Sequence, residues 1–304
     1  MSSKMKRKFL TIVTPTYNRA MELAKLHASL KSQTDKDFCW LIIDDGSTDN
    51  TFDVIKKMKR DANGFSIEYI RKENGGKHTA LNLAFKKVKT ELLIIVDSDD
   101  YITNDAVETI KNDWAQYNDG KICGLCYKRG RVNGEDLSDD FGSEVVKANY
   151  KDFIVNAKRK RDKAEVFRTS VFSKYSFPVF EGEKFLGEGV LWCKISDEYD
   201  MVFINKVIYI CEYLEGGLTK SGRRLRIENP LGGMYYASEF LDNRYNWGIR
   251  MERALLYLTF ARFARENITK IRKKSDHRII LDVNVLPSFL LYNYWRKKYE
   301  GRND

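Results

Sequence analysis

The chain has 304 residues, 43% of them hydrophobic, enough for one large core or two modest ones, which excludes a disordered chain and a miniature disulfide scaffold. It carries 53 Lys and Arg against 43 Asp and Glu, a net charge of +10, but residues 221–304 hold 17 basic and 9 acidic side chains, so the first 220 are nearly neutral. Five scattered cysteines, no stretch near the roughly 20 apolar residues of a membrane span, and an apolar run after Lys8 too short for a leader predict a soluble, cytoplasmic protein with free thiols.

Short apolar runs alternate with helix-period segments through the first hundred residues. Phe9 to Thr14 predicts a strand, Asn18 to Leu30 a helix with Leu23, Leu26, His27 and Leu30 on one face, and Phe38 to Ile43 a second buried strand. Thr48 is a candidate cap for a helix carrying Phe52, Ile55 and Met58, and Ser66 to Ile70 is a shorter strand. Gly76 to Val88 is a helix with Ala80, Leu81, Ala84, Phe85 and Val88 inward, and Leu92 to Val96 is a nearly all-apolar strand. Strands alternating with single helices imply parallel pairing and an open α/β sheet.

Beyond about residue 105 this rhythm stops. A helix over Ala106 to Tyr117, polar loops such as Asn133 to Asp140, a basic cluster from Lys158 to Lys163, and strand-like runs at Val166 to Phe172 and Met201 to Cys211 predict an α+β half built on the first. Cys123-Gly-Leu-Cys126 lacks the second pair or nearby His that would complete a zinc site. From about Arg223 the chain is largely helical, with Met251, Ala254, Leu255, Leu258 and Ala261 on one stripe.

Each of the first four strands ends in a polar cluster: Thr14-Pro15-Thr16-Tyr17-Asn18-Arg19, Asp44-Asp45-Gly46-Ser47-Thr48-Asp49, Glu73-Asn74-Gly75-Gly76-Lys77-His78, and Asp97-Ser98-Asp99-Asp100. In an open α/β sheet ligands bind beyond the carboxyl ends of the strands, so the four clusters describe one site. Their chemistry suits a nucleoside diphosphate. Tyr17 can lie against a base, and Asp44 or Asp45 can accept base N–H groups or ribose hydroxyls. The amides of Gly75 and Gly76 with Lys77 suit phosphate oxygens, and Asp97-x-Asp99 supplies hard oxygens for Mg²⁺ or Mn²⁺. Taken singly, each cluster is also compatible with a solvated turn or a helix cap.

Together the four clusters resemble a family 2 glycosyltransferase of the GT-A fold. The resemblance implies a Rossmann-like, mostly parallel sheet with an α+β acceptor half and a C-terminal helical extension. It divides the chain into a catalytic domain over 1–220 (nucleotide-sugar half 1–105, acceptor half 106–220) and a basic helical region over 221–304. It assigns the nucleotide sugar to Pro15, Thr16, Tyr17, Arg19, Asp44, Asp45, Asn74, Gly76, Lys77, His78, Asp97 and Ser98, with Asp45 on the uracil edge, Lys77 near the diphosphate and Asp99 on the metal. The family's Leu-Trp-x-Arg-Leu is matched by Leu191-Trp192-Cys193-Lys194-Ile195, which sets Glu188 where the family has its catalytic Asp. Glu188 is therefore the expected general base, with Glu181 and Glu183 in reserve.

The implied activity is metal-dependent, inverting transfer of a sugar from a nucleotide-sugar donor, UDP favoured, to a hydroxyl of a glycan or lipid-linked acceptor in polysaccharide synthesis. Competing readings are a nucleotide-sugar-binding protein without transferase activity and a basic nucleic-acid-binding module, the latter disfavoured. A Rossmann oxidoreductase would need GxGxxG where Pro15-Thr16-Tyr17 stands. The basic, aromatic segment Leu286 to Lys298 predicts either a peripheral anionic-membrane contact, on the inner face, or packing on the catalytic domain or in a homodimer.

Overall fold

The computed structural model describes residues 7–159, 162–211 and 218–299; Lys4 and Lys6, part of the Lys158 to Lys163 cluster, and the end of the tail lie outside them. The first half runs β1 (Leu10–Thr16), α1 (Leu23–Lys31), β2 (Phe38–Asp44), α2 (Thr51–Asp61), β3 (Ser66–Arg71), α3 (Lys77–Lys87) and β4 (Leu92–Ile95). All its strand pairs are parallel, with Leu10 beside Phe38 and Leu92 and Cys39 beside Ser66. Helix α1 starts later than the apolar period predicts, because Asn18 takes a left-handed φ of 51° and its Oδ1 accepts the Thr48 amide at 2.8 Å. Thr48 is not the cap of α2. Asp49 Oδ1 receives both the amide and the hydroxyl of Thr51, and Phe52 stands 51% exposed beside Tyr69 while Ile55 and Met58 are buried.

The second half comprises β5 (Tyr101–Ile102), α4 (Ala106–Tyr117), β6 (Ile122–Arg131), β7 (Val145–Ala148), β8 (Lys163–Arg168), α5 (Thr169–Phe172), α6 (Gly189–Ile195) and β9 (Asp200–Cys211). The strand expected over Val166 to Phe172 ends at Arg168, and its remainder turns into α5. The sheet order is β3-β2-β1-β4-β8-β6-β9-β5, with β7 on β9; β8 enters antiparallel between β4 and β6. Strand order therefore reverses between β1 and β4, which opens a crevice at their carboxyl ends.

Two apolar layers enclose the sheet. One holds Leu23, Leu26, Ile55, Ala106, Ile110 and Trp114 against Ile12, Trp40 and Ile94; the other holds α3 and α6 through Leu81, Phe85, Leu191 and Trp192 against Val13, Ile43 and Phe167. Trp40 is fully buried and donates its Nε1–H to Thr14 Oγ1 at 2.9 Å, so removing its side chain costs about 3–5 kcal/mol. Gly124 lies against the Val166 carbonyl, where a Cβ would come within 1.9 Å. The strand is irregular there, and both Cys123 and Cys126 are buried thiols; burial pushes Cys123 up to about 12.

The tail forms α7 (Leu218–Glu228), α8 (Pro230–Ser238), α9 (Trp247–Phe263), α10 (Ile268–Lys274), α11 (Arg278–Val283) and α12 (Val285–Tyr299). Of the expected stripe on α9, Ala254, Leu258 and Ala261 are fully buried, and Met251 packs beside them. The tail docks on the second half: Phe240, Tyr245 and Ile249 cluster with Cys193 of α6, and Tyr235 and Tyr236 join the α3/α6 layer.

Candidate active site

The first two polar clusters are stitched into one rim. The Asn18 amide donates to Ser47 Oγ at 2.9 Å and the Asp45 amide to the Thr16 carbonyl at 2.8 Å. Tyr17 stands 48% exposed at this edge, whereas Pro15 and Thr16 are buried strand residues and Thr16 Oγ1 has no hydrogen-bond partner. Both carboxylate oxygens of Asp44 are engaged within the protein. Its Oδ1 accepts the Ser47 amide and its Oδ2 the Tyr69 hydroxyl, at 2.7 and 2.6 Å, so it braces the loop from beneath.

Asp45 ties the second cluster to the third. Its carboxylate receives Lys72 Nζ at 2.5 Å and the amides of Gly75 and Gly76 at 3.0 and 2.7 Å, while Asn74 Nδ2 donates to its backbone carbonyl at 2.9 Å. The glycine amides expected to be free for phosphate are thus filled by Asp45, and both Asp45 oxygens expected to read a base are engaged. Gly76 is required by its φ of 90° and by the second half: a Cβ there would lie 1.9 Å from the Lys184 carbonyl oxygen.

Lys77, the first residue of α3, joins the halves. Its Nζ lies 2.6 Å from Asp97 Oδ1 beyond β4 and 2.6 Å from Glu188 Oε1 at the start of α6. Three residues 111 positions apart at the extremes, each named from the sequence, therefore meet at one point. Burial lowers the Lys77 ammonium, but the two carboxylates outweigh it and hold its pKa above the ordinary lysine value. Burial likewise raises Asp97, and Lys77 and Arg129 overcome it and keep Asp97 ionised.

Asp99, half-buried beside this pair, is pushed up by burial and by the charge of Asp97, while Arg19 pulls weakly the other way. Arg19 itself pairs with Glu22 at 3.0 Å. Ser98 is buried in the same turn. His78 is buried at the start of α3 with Nδ1 unpartnered, and burial lowers its pKa, so it is a neutral imidazole.

The loop rests on residues that motif spacing did not reveal. Tyr209 of β9 accepts the Asp97 amide at 3.0 Å and donates to Asp100 Oδ2 at 2.8 Å, and the Arg129 guanidinium stacks 4.1 Å from its ring. Burial and Asp97 raise Asp100 to about 6. Glu165 of β8 is raised to about 7, chiefly by burial; Arg129 and Lys163 oppose the shift and Glu188 adds to it. The apolar alternation around Ala164, Val166 and Phe167 is the only sequence signal that a carboxylate sits there in a strand.

The reserve bases are not equivalent. Glu183 accepts the Leu231 and Gly232 amides, each at 2.7 Å, and so caps the first turn of α8; it is a structural carboxylate. Glu181 is exposed. Among the described residues no three carboxylate, histidine or cysteine side chains converge as a ready-made metal cage.

The chain is similar to several known glycosyltransferases. Glycosyltransferase GlyA of Streptococcus pneumoniae is 27% identical over 222 residues, 69% of this chain and 31% of the relative. GalNAc(5)-diNAcBac-PP-undecaprenol beta-1,3-glucosyltransferase of Campylobacter jejuni is 28% identical over 214 residues, 66% of this chain and 63% of the relative. The chain thus spans less than a third of the pneumococcal relative's length. The crystal structure of S. aureus TarS 1-349 in complex with UDP-GlcNAc superposes with a TM-score of 0.61 at 19% identity, covering 88% of this chain and 76% of that one. Mannosyltransferase PcManGT from Pyrobaculum calidifontis, in complex with GDP-Man and Mn2+, gives 0.57 at 15% identity over 96% and 84%. These superpositions give the fold as GT-A. The family model for glycosyl transferase family 2 matches residues 11–182, more than half of the chain, and the chain belongs to that family.

Proposed function

We propose that the chain transfers a sugar from a nucleotide sugar, with UDP as the favoured nucleotide, to a hydroxyl of a glycan or lipid-linked acceptor, with inversion at the anomeric carbon. The observation that carries this is the contact of Lys77 with both Asp97 and Glu188, a cation held between the donor-side and acceptor-side carboxylates. Family membership and the UDP-GlcNAc bound to the TarS neighbour support a nucleotide-sugar donor.

In this scheme Tyr17 covers the base and the buried Asp45 network holds the loop before α3 in shape. Glu188 takes the proton of the acceptor hydroxyl, which attacks opposite the departing nucleoside diphosphate. Lys77 turns its ammonium toward the leaving phosphates as their charge grows, which releases Glu188 from the ion pair at the moment it must accept a proton. Proton transfer by a positioned carboxylate contributes about 10²–10⁴-fold to such a step.

The residues fit a divalent cation at Asp99. Its carboxylate is destabilised by burial and by Asp97, which a cation would relieve, while Asp97 is already neutralised by Lys77. Asp99 would hold Mn²⁺ or Mg²⁺, and the ion would supply positive charge to offset that of the leaving diphosphate. Asp99→Asn is expected to abolish the Mn²⁺-dependent part of UDP binding in calorimetry; equal binding with and without Mn²⁺ in the unsubstituted protein would remove the metal from the scheme.

A second proposal concerns location. Ile279, Val283, Leu286, Phe289, Leu290 and Tyr294 of α11 and α12 are 47–78% exposed, and Lys273, Lys274, Arg278, Lys297 and Lys298 flank them. An apolar strip with basic borders suits an anionic lipid surface.

A further inference from the structure

The cleft wall next to Glu188 is built by the tail, and it holds two guanidinium groups with no carboxylate partner among the described residues. Arg226 of α7 donates from Nη1 to the Gly222 carbonyl at 2.7 Å and lies 5.5 Å from the Phe185 ring. Arg253 of α9 lies 5.6 Å from the Tyr236 ring and 5.0 Å from Phe240, and its Nε is buried without a partner. Among neighbouring cations, Lys194 pairs with Glu239 at 3.2 Å, Arg244 with Asp242 at 3.0 Å and Lys151 with Asp197, whereas Arg250 and Arg262 of α9 rest on backbone carbonyls and aromatic rings.

Arg226 lies beside the segment that carries Glu188, and Arg253 reaches it through Tyr236. A Cβ on Gly187 would sit 3.1 Å from Tyr236 Cε2 and 4.0 Å from Arg226 Nη2, and one on Gly189 would sit 3.3 Å from the Tyr236 hydroxyl. The glycines on either side of Glu188 therefore let Tyr236 and Arg226 approach the backbone that carries it. Burial lowers Arg226, Tyr236 opposes that, and the charge of Arg253 lowers it further, so the two guanidinium groups feel each other across Tyr236. Two half-buried like charges are costly, and an anion bridging them would offset the cost through charge-assisted hydrogen bonds.

We infer that Arg226 and Arg253, with Tyr236 between them, form an anion subsite on the acceptor side of Glu188 that receives a phosphate group of the acceptor. The inference rests on the transferase reading for the role of Glu188. Guanidinium forks match phosphate oxygens, and a phosphate held here would leave a neighbouring hydroxyl beside Glu188. The acceptor class is then phosphate-bearing, either a lipid diphosphate or a polyol phosphate, and not a neutral glycan.

Calorimetry on the full chain saturated with UDP and Mn²⁺, which fills the donor side, tests this with inorganic pyrophosphate and glycerol phosphate as probes for the two sources. One probe is expected to bind, more weakly at high salt, and the Arg226→Gln, Arg253→Gln double variant to lose about tenfold or more in its affinity while UDP binding is unchanged. Phenylglyoxal labelling of the unsubstituted protein gives a check that needs no variant: the bound probe is expected to protect Arg226 and Arg253. Binding of neither probe, equal binding by the double variant, or absent protection overturns the subsite. Failure of the unsubstituted protein to bind UDP would instead strike the donor reading, and the comparison of probe binding with and without the two arginines would still decide this one.

Discussion

Glu165 shows how a residue's role depends on neighbours far away in sequence. Its carboxyl, raised to about 7 by burial, stays protonated in the fold at pH values where it ionises in the unfolded chain. A raised carboxylate contributes stability that is fully present below its unfolded value near 4.5 and is lost as pH rises through about 7. Thermal melts should therefore show the unsubstituted protein losing ground to Glu165→Gln between pH 5 and pH 8, as an order-of-magnitude window set by those two values; parallel melting curves would mean that Glu165 is ionised in the fold. The strand-end rule and the resemblance around Leu191 and Trp192 assigned Lys77, Asp97 and Glu188 to one candidate site, and the fold brings the three side chains into contact. Neither the rule nor the resemblance gave the partners of Asp44 and Asp45 within the fold. Their partners Tyr69, Lys72 and Gly76 lie 25 to 31 positions on, and which side of a turn a carboxylate faces is decided by such long-range bonds.

At the scale of elements, the first half was legible because a buried parallel strand is apolar throughout and its covering helix keeps a 3.6-residue period. The second half was legible only in part: the helix over Ala106 to Tyr117 and the strand over Met201 to Cys211 stand where expected, but β8 inserts antiparallel and short elements such as α5 and α6 carry too few residues to show a period. Helix α8 illustrates the consequence. Glu183 was a reserve base in the sequence, yet in the fold it caps that helix through the Leu231 and Gly232 amides, while Asn229 Oδ1 accepts the Lys184 and Phe185 amides at 2.6 and 3.1 Å. The loop carrying Glu188 is thus fastened to the tail. Glu183→Ala is expected to cost about 0.5–2 kcal/mol in denaturant unfolding, the usual worth of a cap, without altering the pH profile of turnover. A loss of turnover with unchanged stability would return Glu183 to the list of bases.

At the scale of the molecule, the excess positive charge lies in the helical tail. The expected segment Leu286 to Lys298 divides by face: Trp295 is buried against Phe260 and Ser288 is fully buried, while Leu286, Phe289, Leu290 and Tyr294 point outward. Leu286→Glu with Leu290→Glu should reduce flotation with anionic liposomes and leave UDP binding intact; undiminished flotation would remove this face as the contact, and a change from dimer to monomer in sedimentation would assign it to a second copy. The tail also lies against the segment that carries Glu188, through Tyr236 and Arg226 beside Gly187 and Gly189, while the exposed apolar face proposed for lipid lies on α11 and α12. What unites the two halves is the meeting of Lys77 with Asp97 and Glu188, and release of UDP from a UDP-sugar by the Glu188→Gln protein tests that most directly. UDP affinity is expected to persist while release falls about 10²–10⁴-fold; release at the unsubstituted rate would contradict the assignment of Glu188 as the base and with it the account of the site.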